Sequence, residues 1–357
     1  MRKNQLIFGL VVLAGLAALV YWGRDRIHFD FGVFRTQIAL ADWRKIGIAT
    51  ACIYLGYVIR SVRWALFLRH NKRVPPFLLV GTQVMGFTAV ALIGRVADLV
   101  RPYLVAKKTG LPLSSQVAVY IVERLFDAGS MALIFSCAIV FAPAGSMPHP
   151  ELVKKAGYGF LAATLLGALF LVAVRLAGGM VASFFEGAFG LFSKKLGHAA
   201  GLKIRTFRTG LDTMRSFSDF GAAASLSLGM WVLIALAYLE TTQAFVASPQ
   251  LASMTPAKCM LLLAVSGGAS VFQLPVLGWF TQIGLVAAAI SNFFDAVPEA
   301  STACAATLLL VSFLAIVPVG LIWAQVEHVS LRKVAVESGH AGETLKVDEP
   351  ADPKVKS

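Results

Sequence analysis

From Gly94 to Asp127 the chain reads GRVADLVRPYLVAKKTGLPLSSQVAVYIVERLFD, a dense set of charges between segments apolar enough to sit in lipid. Arg95, Asp98 and Arg101 recur every third residue, so on a helix they form a slowly turning stripe. Glu123 and Asp127 are an i, i+4 pair with Arg124 beside them. A side chain ionised near the bilayer centre costs roughly 2.5–3.5 kcal/mol on the mildest scale, so such groups face a partner, a cavity or a substrate. The stretch therefore reads as the functional centre of a polytopic membrane protein.

Composition points the same way. Only 14% of the 357 residues are charged and 57% are hydrophobic, against roughly 25% charged in soluble domains. The mean hydropathy is +0.74. The net charge of +13 lies in short basic clusters between apolar runs, which fits positive-inside topology and excludes a nucleic-acid-binding face. Cys52, Cys137, Cys259 and Cys304 each sit inside an apolar run without a CxxC pair, and read as packing residues. The histidines show no metal-ligand spacing. Neither a disulfide framework nor a metal or other cofactor is expected.

Residues 1–45 read as a first span, about Leu6 to Trp22, retained as a signal anchor, and an interfacial linker. A transmembrane domain follows over residues 46–330. Its full spans are expected at about Ile46–Leu68, Gln116–Phe141, Ala156–Leu176, Ala222–Val246 and Cys304–Gln325, making six with the first. Arg60 and Arg63, towards the end of the second span, read as snorkelling residues. Glu240 stands alone in an apolar span, and a structural partner and a proton-linked role are both open. Arg69, His70, Lys72 and Arg73 mark the cytoplasmic side, as does the basic loop containing Lys194, Lys195 and Arg208. Both termini are expected in the cytoplasm of a bacterial inner membrane, with residues 331–357 as a polar, disordered tail.

Charge counting requires two departures from simple crossing. If Pro76–Ile93 crossed fully, Arg95, Arg101, Lys107 and Lys108 would lie outside. A re-entrant hairpin from about Phe77 to Leu113, with Gly94 near its tip, returns them. By the same logic Lys258–Asn292, interrupted by Gly267, Gly268, Pro275 and Gly278, starts and ends outside and forms a second hairpin from the opposite face. Broken backbone at membrane depth is tolerated only beside protein or a watery cavity. The expected fold is therefore an all-α polytopic membrane protein of about six spans plus two re-entrant helical hairpins, on the logic of an inverted repeat.

Two motifs carry a family resemblance. Asp98-Leu99-Val100-Arg101-Pro102 is similar to an acidic-x-x-Arg-Pro element, and Val122-Glu123-Arg124-Leu125-Phe126-Asp127 to a Val-Glu-Arg-Leu-x-Asp element. Their order and spacing resemble the flippase-like integral membrane family related to the transmembrane region of lysylphosphatidylglycerol synthases. A third element of that family, Pro-Gly-Gly-x-Gly-x-x-Glu, is matched loosely over Gln273 to Gln282, with Gln282 in place of the acid. The resemblance implies a protein that moves or presents lipids.

The candidate substrate-binding residues are Arg95, Asp98, Arg101, Glu123, Arg124, Asp127, Gln273, Pro275, Gly278 and Gln282, with no catalytic residue among them. Arg101, with Arg95 nearby, either grips a lipid phosphate or anchors the hairpin against Asp98, Glu123 or Asp127. Pro275 and Gly278 are expected to break a helix. No Walker motif occurs, so ATP is not the expected energy source. The function expected is binding and translocation of a phospholipid or lipid-linked headgroup between leaflets, with membrane lipids and a separate lipid-modifying enzyme as partners. The alternative is a glycosyltransferase-like enzyme acting on a lipid-linked substrate.

Overall fold

A computed structural model describes residues 29–142, 150–191, 193–211, 216–269 and 277–347. The expected first span, together with Gln273 and Pro275, lies outside them. Among the described residues there are fourteen α-helices and no strand. These are α1 (Phe31–Ala39), α2 (Trp43–Leu68), α3 (Pro76–Ile93), α4 (Val100–Thr109), α5 (Leu113–Val140), α6 (Pro150–Gly190) and α7 (Lys194–Leu211). There follow α8 (Phe217–Gln243), α9 (Pro249–Ala252), α10 (Pro256–Ala269), α11 (Leu277–Phe294), α12 (Pro298–Leu309), α13 (Ile316–Val326) and α14 (Leu331–Val347).

The helix starts follow local chemistry. The Asp42 carboxylate accepts from the Arg44 and Lys45 amides and opens α2. Ser216 and Asp219 form a reciprocal capping box at the start of α8. Prolines occupy the first turns of α3, α9 and α12, where the missing N–H has no helical partner to lose. Five segments are long and apolar enough to cross a membrane: Trp43–Leu68, Pro76–Ile93, Lys154–Val174, Phe217–Gln243 and Pro298–Val326. The last runs from α12 into α13 through a π-helical turn at Leu310–Leu314. At 28 residues α5 is also long, and its acids Glu123 and Asp127 turn inward.

Side-chain contacts fix which helix ends lie together. At one end Arg69 and His70, just past α2, pair with Asp219 at the start of α8, and Lys72 Nζ donates to the Thr109 carbonyl at 2.6 Å. Lys108 pairs with Glu327 at 2.6 Å. This is the basic end. At the other end the Asp42 amide donates to the Ala244 carbonyl, Lys45 to Gln243, and Gln243 to the Met254 carbonyl.

Both hairpins follow from these anchors. The first leaves the basic end along α3 and breaks at Gly94, whose φ of 88° and ψ of −169° only glycine adopts without strain. It turns through a 3₁₀ segment, Arg95–Leu99, and returns along α4 to the basic end. The Lys72–Thr109 bond closes its mouth. The second leaves the opposite end along α10 and returns along α11, where Lys258 Nζ sits 5.5 Å over the Phe294 ring. Two antiparallel helical pairs thus enter the bundle from opposite ends, with α2, α5 and α8 between them.

Several expectations change. The second hairpin is not broken at Gly267, Gly268 or Gly278, since Gly267 and Gly268 are helical in α10 and Gly278 lies in the first turn of α11. The stretch between α10 and α11, residues 270–276, lies outside the described residues. The tail is not wholly disordered: α14 folds back on the first hairpin, buries Leu331, Val334 and Ala335, and accepts the Tyr103 hydroxyl on Glu337 at 2.9 Å. An apolar i, i+3, i+4 pattern hidden in a polar composition explains that packing. The long basic loop is also largely helical, because α6 bends at Ala177 and pairs with α7.

Candidate functional site

The central charges form one buried network. From α2, Arg60 and Arg63 stand three residues apart and face Glu123 and Asp127, four apart on α5, so both pairs present to a common seam. Arg63 reaches Glu123 Oε1 at 2.8 Å and Asp127 Oδ1 at 2.6 Å. Arg60 Nη1 reaches Asp127 Oδ2 at 2.9 Å and Glu123 Oε1 at 3.2 Å. Arg101, from α4, donates to Glu123 Oε2 at 3.0 Å and to Gln83 Oε1 at 3.1 Å. The Arg63, Arg101 and Glu123 side chains are each only 1% exposed. Burying such a cluster is tolerable because nearly every carboxylate oxygen meets a guanidinium.

Packing holds Arg101 in place. Its guanidinium lies 4.5 Å from the Phe87 ring centroid and 5.1 Å from that of Tyr120, with Trp64 at 5.6 Å. Gly86 on α3 leaves the room its side-chain stem occupies, since a Cβ there would collide with Arg101 Cγ. Trp64 is pinned in turn by donating to Gln116 at 3.1 Å.

In front of this network lies a cavity of about 510 Å³ where the two hairpins approach each other. Its charged side is formed by Arg60, Asp98 and Arg124, with the rings of Tyr57, Phe87 and Tyr120. Arg124 Nε donates to the Tyr120 hydroxyl oxygen at 3.0 Å, and its guanidinium stands 3.7 Å from Asp98 Oδ1, a looser pairing than those behind it. The Arg60 bonds to carboxylates all run through Nη1, leaving Nε and Nη2 without a carboxylate among the described residues. The opposite side is uncharged: Trp231 and Tyr238 of α8, Ser266 of α10 and Gln282 of α11.

The structure thus separates the expected site residues. Asp98, Arg124 and Gln282 line the cavity. Arg101, Glu123 and Asp127 lie behind its wall, where Arg101 makes the expected pairing with Glu123. Arg95 sits on the 3₁₀ turn, with its side chain outside the described residues. Gly278 is buried in α11 and does not line the cavity. Arg60 and Arg63 do not snorkel, being 8% and 1% exposed. Their i, i+3 spacing, complementary to the i, i+4 acids, was the signal that could have linked them to the site. Glu240 has a structural partner, Lys45, at 4.0 Å near the opposite end. Among the described residues no group of three His, Cys, Asp or Glu side chains is placed to hold a metal ion.

No curated protein and no solved structure matches the chain. The model of the lysylphosphatidylglycerol synthase transmembrane region matches residues 6–320. On that match the chain belongs to the family of the lysylphosphatidylglycerol synthase transmembrane region.

Proposed function

We propose that this membrane protein binds the polar headgroup of a phospholipid or lipid-linked molecule in the cavity between the hairpins and passes it between leaflets while the acyl chains stay in the bilayer. The observation that carries this reading is a cavity placed where hairpins from opposite ends approach, with arginines on its wall. Spontaneous flipping is slow because a bare polar headgroup loses its water in hydrocarbon, and a groove supplying hydrogen bonds and charge lowers that barrier. Glu123 and Asp127 commit their oxygens to guanidinium groups, which suits a wall better than a general acid or base. By the positive-inside rule, the basic end with Lys72, Lys107 and Lys108 faces the cytoplasm of the inner membrane, and α14 with it.

Vesicles reconstituted with the protein and chain-labelled fluorescent phospholipids test the reading. Leaflet exchange is expected in the native protein and at least tenfold slower in Arg124→Ala. Native exchange no faster than in protein-free vesicles overturns it, and consumption of an activated sugar in its place favours the enzymatic alternative. Cysteines placed at Lys107 and Lys258 are expected to label from opposite sides of the membrane.

A further inference from the structure

The geometry points to a specific headgroup class: a lipid phosphate whose headgroup is uncharged and bears hydroxyls, as against one that bears an amine. The inference rests on the headgroup-binding reading above and narrows it. Two independent features of the cavity carry it.

The first is charge. Among the described side chains that line or back the wall, Arg60, Arg63, Arg101 and Arg124 face only Asp98, Glu123 and Asp127. One positive charge is left over for an anion, and Arg60 and Arg124 reach the cavity itself. A guanidinium suits a phosphate because its donors form a planar fork. An ammonium finds no such welcome. Glu123 and Asp127 are engaged on both oxygens by arginines, and an amine approaching Asp98 would meet Arg124.

The second is the unmet hydrogen bonding on the uncharged side. Ser266 Oγ accepts from Gln282 Nε2 at 2.7 Å and from the Tyr238 hydroxyl at 2.9 Å. Gln282 is only 7% exposed, and among the described residues neither its Oε1 nor Trp231 Nε1 has a partner. Buried polar atoms are rarely left so. The vacancy is one acceptor and one N–H donor. A hydroxyl both donates and accepts, so hydroxyls answer both needs, whereas an ammonium only donates and leaves Trp231 unsatisfied. The phosphate then lies toward Arg60 and Arg124, and the hydroxyl-bearing portion toward Trp231 and Gln282.

Competition binding on the purified full-length protein tests the assignment, with chain-labelled fluorescent phosphatidic acid as tracer. The competitors are short-chain phosphatidylglycerol, phosphatidylinositol, phosphatidylethanolamine and lysylphosphatidylglycerol, and soluble glycerol 3-phosphate. The two hydroxyl-bearing lipids are expected to displace tracer at concentrations at least tenfold below those needed by the two amine-bearing lipids. Soluble glycerol 3-phosphate is expected to fail at those concentrations; if it competes as well as phosphatidylglycerol, the ligand is a free phosphate and the lipid assignment is overturned. Gln282→Leu is expected to narrow the tenfold preference to under threefold, and Gln282→Glu to turn it toward phosphatidylethanolamine, with tracer binding reporting that each variant is folded. Equal competition by amine-bearing and hydroxyl-bearing lipids, or a preference unmoved in both variants, overturns this inference and leaves the headgroup-binding reading standing. Failure of the native protein to bind tracer overturns that reading as well.

Discussion

The two hairpins meet at one cavity but are stabilised in opposite ways. The first is held by charge: Arg101 on its returning limb is locked to Glu123, and the carboxylates behind it are shared with Arg60 and Arg63. The second is held by apolar packing around Cys259, Met260, Leu262 and Ile290, and its polar atoms at the cavity are neutral and partly unpaired. With every oxygen of Glu123 and Asp127 engaged by an arginine, each charge of the first wall constrains the others, while the neutral Gln282 Oε1, without a partner among the described residues, is free to receive a ligand. On the proposed reading, one hairpin holds the cavity's shape and the other meets what enters it.

Three substitutions break or sharpen that contrast. The largest effect is expected from Glu123→Gln, which leaves Arg63 and Arg101 without their shared carboxylate. Stability in detergent should fall by about 3–5 kcal/mol, read as a steep loss of thermal unfolding temperature or of folded yield. Gly86→Ala comes next, since the added methyl group meets the Arg101 stem, and about 1–3 kcal/mol of overpacking is expected by the same measurement. Gln282→Met should cost least, under about 1 kcal/mol, because the lost bond to Ser266 is offset by removing an unsatisfied oxygen. If Gln282→Met destabilised the protein as much as Glu123→Gln, the second hairpin would be structural too and the contrast would fail.

Much of this was legible from residue order. The alternation of apolar runs and basic clusters gave the spans, and the misplaced charges of Arg95–Lys108 required a chain that turns back, as Lys72 and Thr109 confirm by meeting. The motifs around Arg101 and Glu123 lie on α4 and α5, beside the cavity. What they concealed was the division of labour. Arg60 looked like a snorkelling end residue because its partners are 63 and 67 positions away, beyond any local pattern. The helix of the tail was hidden because its buried face is narrow and its overall composition polar.

The sequence by itself determined that this is an all-α membrane protein with ionised groups at bilayer depth, because hydropathy and charge asymmetry act along the chain and need no long-range contact to be read. Only the tertiary structure decided which arginines become struts and which face the cavity. That choice depends on how α2, α4 and α5 rotate against one another, and a rotation of one residue, about 100° on a helix, exchanges a buried partner for an open wall.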